Sequence, residues 1–201
     1  FHKMELPIFP LNGAVLFPET SLPLNIFEKR YIDMVDYSLA REREIGMIQT
    51  MNNGDLCKIG CIGKIHSFNE TNDGRYLISL QGLNCFEVVK EIDVDYSFRI
   101  VRANVIKGIN REDDKLDNDK KSNILKKYKK YISFKKINID LSEIDGIEIY
   151  QLMKFIAMIS PFKDIEKQAL LETDNVEDFY YKLLSIIDFD IASELGNKTL
   201  N

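Results

Sequence analysis

Apolar and polar positions along this chain keep two different periods. From Leu6 to about Lys107 the apolar runs are short and bounded by Pro, Gly or Asn, as in "LNGAVLFP" (11–18) and "SLPLNIFE" (21–28), a strand signature. One segment breaks that rhythm. From Glu28 to about Glu44, Phe27, Tyr31, Val35 and Leu39 step by four and Met34 fills the stripe, while Lys29, Arg30, Asp33 and Asp36 take other faces. That spacing predicts an amphipathic helix lying on a sheet. Strand signals resume in "IGMIQT" (45–50), "LCKIGCIGKIHSF" (56–68) and "RYLISLQG" (75–82). Asn72-Asp73-Gly74 between the last two predicts a hairpin, because such a turn needs positive φ. Cys85–Ile92 and Phe98–Ile106 bring the expectation to five or six strands. Gly60, Gly63 and Gly82 favour a coiled, partly closed barrel over a flat sheet.

After Ile106 the period changes. "KGINREDDKLDNDKK" (107–121) is almost devoid of apolar residues and predicts a linker over 108–118. The expected organisation is a β subdomain over 4–107 and a helical bundle over 119–197. In the bundle, Ile149, Leu152, Ile156 and Ile159 recur at helical spacing and Pro161 stops the helix. A short helix follows over about Asp164–Glu172. Asp174 with Glu177 forms a capping-box-like start for a last helix striped by Phe179, Leu183, Ile186 and Ile187.

Prolines complicate the opening. Pro7, Pro10, Pro18 and Pro23 are four of the chain's five, set among residues as apolar as a core. Proline lacks the ladder donor, so these belong at strand ends and sheet edges, with Pro7 and Pro10 beginning the first strand and Pro18 and Pro23 bracketing a turn.

The 201 residues are 45% hydrophobic and 29% charged, a globular balance, and the net charge of -5 disfavours general nucleic-acid or anionic-membrane binding. No apolar run is long enough to span a membrane. The odd cysteine set (Cys57, Cys61 and Cys85) fits a reducing cytoplasm, the expected location. A start at Phe1-His2-Lys3 rather than Met implies missing leading residues, and the visible chain carries no signal peptide.

Several strings, in order, carry a resemblance: "LPIFPLNGAVLFPETSLPLNIFEKRYIDMV" (6–35), "IGMIQ", "CKIGCIGKIHSF", "DGRYLISLQGLNCFEVV" (73–89) and "SPFKDIEKQALLE" (160–172). Together they resemble the LON substrate-binding domain family, in its small stand-alone bacterial form. The resemblance implies an α+β fold: a PUA-like β pseudo-barrel with an inserted helix, followed by a C-terminal α-helical subdomain. It implies a non-catalytic module that binds exposed apolar segments of other proteins, with a separate protease as a candidate partner. It implies no cofactor. An ATPase motor would need G-x-x-x-x-G-K-[ST] to cradle phosphates. The nearest string, "GCIGKI" (60–65), sets Gly60 and Gly63 too close and puts Ile65 where Ser or Thr is required.

Candidate sites divide accordingly. Phe9, Phe17, Pro18 and Phe27 of the proline-rich segment are candidates to line a peptide groove, with Glu28 and Arg30 as partner-facing charges. Glu28 and Arg30 also fit a plain helix start, and both readings stand. "KKSNILKKYKKYISFKK" (120–136) offers an alternative nucleic-acid patch in Lys126, Lys127, Lys129 and Lys130 among Tyr128, Tyr131 and Phe134. The competing reading buries Ile124, Leu125, Tyr128, Tyr131 and Ile132 and leaves the lysines as a wet face. Cys57 and Cys61, four apart and so on one strand face, would need His2, His66 or Cys85 to hold zinc; small core hydrophobes are the ordinary reading, and no metal is expected. His66 has no nucleophile-elbow string beside it, and no catalytic residue is assigned.

Overall fold

The structure is a computed structural model that describes residues 3–108, 116–142 and 144–199. Its contacts divide the chain into two compact units, Phe1–Gly108 and Ile109–Asn201. Most of the expected linker (109–115), like His2, lies outside the described residues.

The first unit is a six-stranded sheet: β1 (Lys3–Pro10), β2 (Ser21–Ile26), β3 (Glu44–Ile48), β4 (Ile59–Glu70), β5 (Tyr76–Ile92) and β6 (Ile100–Val105) in the order β2-β5-β4-β3-β1-β6. An added β5–β6 pairing closes the ring. The strand β5 is one continuous element where the sequence suggested two. Its first half pairs with β2 and β4, and its second half with β4 and β6. Gly82 marks the change. There is no room for a side chain at Gly82, because a Cβ would stand 2.0 Å from the Phe17 carbonyl oxygen.

The hairpin joining β4 to β5 turns where expected. The Thr71 amide donates to the Arg75 carbonyl (2.9 Å), and Gly74 supplies the positive φ of 83°. Leu6, Ile8, Ile48, Cys57, Ile62, Phe86, Val101 and Ala103 fill the barrel.

Pro7, Pro10 and Pro23 sit where no ladder bond from their nitrogen is formed. The Ile8 amide donates to the Arg99 carbonyl (3.0 Å) on the β6 side, and the Leu11 amide to the Ile48 carbonyl (2.9 Å) on the β3 side. Alternation along a strand therefore turns Pro10 toward β6, which has ended there, and Pro7 toward β3. The parallel register Ile8↔Gly46, Phe9↔Met47, Pro10↔Ile48 would next call on a donor at residue 7 for the Glu44 carbonyl. Proline has none, and the β1–β3 ladder starts only at Ile8. Pro23 lies on β2, whose described partner is β5 alone. The Gly82 amide donates to the Thr20 carbonyl (2.8 Å), so Leu22 and Leu24 face β5 and Pro23 faces the open edge.

The run "LNGAVLFP" is not a strand. Residues 11–20 form an irregular crossing that still buries Val15, Leu16 and Phe17. Carboxamide side chains do the ladder's work there: Asn12 Oδ1 accepts from the Thr50 amide (2.7 Å), and Gln49 Oε1 accepts from the Gly13 amide (2.9 Å).

The inserted helix α1 (Lys29–Leu39) is shorter than expected and ends at Ala40, before the left-handed Arg43 (φ 63°). It buries Tyr31, Met34, Val35 and Ser38. Phe27 precedes the helix, so the helical period does not set its direction, and it is 68% exposed.

The second unit holds α2 (Asn118–Lys135), α3 (Ile149–Ile159), α4 (Asp164–Leu171) and α5 (Val176–Thr199). Asp117 caps α2 by accepting from the Lys120 amide (2.9 Å), and Glu148 caps α3. Asn175, not Asp174, caps α5: its Oδ1 accepts from the Asp178 amide (2.8 Å). The bundle core includes Ile124, Tyr128, Tyr131, Leu152, Ile156, Phe179, Leu183 and Ile187.

Candidate functional site

Helix α1 has a candidate surface at each end. At its N-terminus, Phe27 stands free, and Arg30 donates to Glu28 (3.0 Å) while its guanidinium lies 4.7 Å from the centre of the Tyr31 ring. Beneath them, Phe9 packs on Tyr31 with ring centres 4.2 Å apart. Burial pushes the Tyr31 phenol upward, with the nearby Arg30 opposing it.

Phe27, Glu28 and Arg30 are thus together and accessible. Phe9 and Phe17 must be corrected from groove-lining to core: Phe9 is roofed by Tyr31, and Phe17 is 1% exposed beneath the residue 17–20 turn. Neither can meet a partner without opening the fold. Pro18 is half-buried and sits in that turn beside Gly82.

At the other end of α1 the sheet itself opens. Because the β1–β3 ladder starts only at Ile8, the first half of β1 has β6 on one side and a cleft of about 540 Å³ on the other. Its floor is the barrel interior: Met4, Leu6, Ile62, Leu83 and Val105. Its rim carries Glu5, Arg41, Glu42, Glu44 and Asn84. Desolvation raises the Glu44 carboxyl above its ordinary range against the pull of Lys64, and Glu42 adds to the rise. Ser38, 2% exposed, lines the cleft, and its Oγ has no hydrogen-bond partner among the described residues.

An aromatic cluster flanks the cleft. Arg41 stacks 3.6 Å above the Tyr37 ring and donates to the Tyr37 carbonyl (3.0 Å). Tyr37 meets Tyr96 and Phe98 edge-on at 5.1 and 5.2 Å, and half-exposed Tyr96 stacks on Phe98. Nothing in the apolar pattern announced this cleft. It depends on where a ladder starts between strands far apart in sequence, and Pro7 was its one local sign.

The lysine-rich helix reads differently in three dimensions. Lys127 donates to both carboxylate oxygens of Asp188 (2.7 Å each), and Lys120 and Lys135 pair with Glu177 and Glu194 at 3.5 and 3.1 Å. Lys120, Lys127 and Lys135 thus meet α5 carboxylates at intervals along the helix. Of the four patch residues, Lys126, Lys129 and Lys130 are exposed and Lys127 is tied down. The Lys127 pair removes one of the four charges, and the α5 carboxylates weaken the field a phosphate would meet. A separate apolar groove of about 450 Å³ lies between α4 and α5, where Ile165 (76% exposed), Ala169, Tyr181 and Ile186 line it.

The three cysteines all lie in the first unit. Cys57 precedes β4 and joins the barrel core, so it does not share a strand face with Cys61. Cys61 is buried opposite Cys85 across the β4–β5 ladder. Among the described residues no cluster of His, Cys, Asp or Glu is arranged to hold a metal. His66 is exposed, its Nδ1 3.1 Å from the Ser79 carbonyl oxygen.

A profile of the ATP-dependent protease La (LON) substrate-binding domain matches residues 5–188. The chain belongs to the LON substrate-binding domain family. The Lon protease of Buchnera aphidicola subsp. Baizongia pistaciae is 25% identical over 198 residues, which is 94% of this chain and 25% of that protein. The Lon protease of Halothermothrix orenii is 24% identical over 199 residues, again 94% of this chain and 25% of the relative. The chain spans about a quarter of the length of these curated LON relatives. Among solved structures, the Lon N-terminal domain protein from Xanthomonas campestris superposes with a TM-score of 0.70 at 21% identity, covering 90% of this chain and 98% of that one. The N-terminal domain of Mycobacterium avium complex Lon protease gives 0.61 at 14% identity, covering 92% and 98%. The α+β fold of this LON chain is that of the Lon N-terminal domain, and its matches lie in the substrate-binding part of the relatives.

Proposed function

We propose that this chain is a polypeptide-recognition module of the LON type, which holds apolar segments of other proteins and performs no peptide or ATP hydrolysis itself. The observation that carries the reading is the family match over residues 5–188, joined to an open barrel cleft with an apolar floor and aromatic flanks. Such a cleft falls within the usual size of ligand sites and suits a large apolar side chain. Phe27, Glu28 and Arg30 supply a second accessible patch at the far end of α1, one aromatic beside a charge pair. Degradation of what is held would fall to a separate protease.

The test is fluorescence anisotropy with a labelled, permanently unfolded polypeptide and with the same polypeptide in its native form. The expected result is saturable binding of the unfolded form alone, weakly dependent on salt because apolar burial drives it. Equal binding of both forms, or none, refutes the reading.

A further inference from the structure

We infer that the cleft beside β1 is the seat of an extended polypeptide segment carrying a large apolar side chain next to a lysine or arginine. This deepens the proposed function and rests on it. Three observations fix the occupant. The first is backbone: with the Ile8 amide committed to the Arg99 carbonyl, alternation turns the Glu5 amide and carbonyl toward the cleft, where β3 has not yet joined. That is an open strand edge, and an extended peptide can pair with it.

The second is the floor. Leu6 and Leu83 offer an apolar socket continuous with the barrel core. The third is charge. Among the described residues lining the cleft, Glu5, Glu42 and Glu44 stand with one cation, Arg41, which is already engaged by the carbonyl and ring of Tyr37. Glu5 is shared with Arg102 (3.1 Å) and Glu44 feels Lys64 across the β3–β4 register, which leaves Glu42 foremost to meet a basic side chain leaving the socket.

The experiment uses the full chain and labelled ten-residue peptides of one design, with a central Leu or Phe followed by Lys, Gln or Glu. Anisotropy should rank Lys over Gln over Glu, with a total spread of about three- to tenfold, the range expected of partly exposed charge pairs. Glu42→Lys, at an exposed position, should erase the ranking, with the Lys peptide losing more affinity than the Gln peptide. Asn84→Trp, also at an exposed rim position, should block all three peptides. Methylating the backbone amide that meets the Glu5 carbonyl should weaken the Lys peptide without changing its charge.

Circular dichroism and a thermal midpoint accompany each variant, so that a folding defect is seen separately. Peptides that bind without ranking, or that ignore both substitutions, overturn this inference and leave the proposed function standing. If neither these peptides nor the unfolded polypeptide bind, both fall together.

Discussion

Replacing Gly82 by alanine tests the architecture at the point where β5 changes partners. An ordinary carbon–oxygen contact needs about 3.3 Å, but the new Cβ would lie 2.0 Å from the Phe17 carbonyl oxygen and 3.3 Å from Pro18 Cα. The Phe17 carbonyl would have to retreat by about 1.3 Å to restore an ordinary contact. It is held on both sides. The Gly82 amide donates to the Thr20 carbonyl (2.8 Å), the Glu19 amide donates to the Gly82 carbonyl (2.9 Å), and the Phe17 ring is fully buried. Losing those two bonds costs about 1 kcal/mol each, and overpacking adds about 1–3 kcal/mol. The smaller entropy of an alanine-containing unfolded chain returns about 0.5–1 kcal/mol. The expected net loss is about 2–4 kcal/mol. Guanidinium unfolding followed by circular dichroism should show a lower midpoint at unchanged slope. Gly196→Ala, on α5 with nothing within 4 Å of its Cβ position, is the control and should be neutral or slightly stabilising. A Gly82→Ala loss below about 0.5 kcal/mol, the scatter of surface changes, would refute the close-approach argument.

Four further outcomes are expected. Phe17→Ala should cost about 3–5 kcal/mol in the same assay, whereas Phe27→Ala should stay within about 0.5 kcal/mol while weakening capture of unfolded polypeptide. The Lys127–Asp188 pair, partly exposed on both sides, should show a coupling of about 0.2–1 kcal/mol in a double-mutant cycle. The hydrogen bond to Asp36 (2.9 Å) raises the Tyr76 phenol from 10.0 to about 12, so its contribution to stability is full below pH 10 and is lost as pH climbs through about 12. Asp36→Asn should return one phenolate transition toward the ordinary range in an ultraviolet absorbance titration; an unchanged curve refutes the assignment. Pro7→Ala restores an amide aimed at the Glu44 carbonyl, and should add hydrogen-exchange protection at residue 7 while lowering peptide affinity in the cleft.

What the sequence made legible was local. Asp73-Gly74 set the hairpin through its backbone, and Tyr31, Met34 and Val35 showed the buried face of α1 through their spacing. Non-local events stayed hidden. Asn12 and Gln49 replaced a ladder for residues 11–20, and their bonds span 38 and 36 positions that no window of pattern covers. Phe9 and Phe17 looked like groove residues because an apolar run does not say which of its members meets the core. Lys127 looked free because its Asp188 partner is 61 residues away. The cleft combined both kinds of information: Pro7 is visible in the string, but the Glu44 carbonyl it leaves without an amide is set by tertiary register.

The open edge of β2 has a consequence for solubility. An unpaired strand is the usual meeting place for copies of a chain. Along that edge the outward positions are Ser21, Pro23 and Asn25, so the middle of the row has no hydrogen to give. A second β2 laid against the first would find its ladder interrupted at the centre, with polar side chains on either side. The proline thus makes copies of the chain poor partners for one another along this edge.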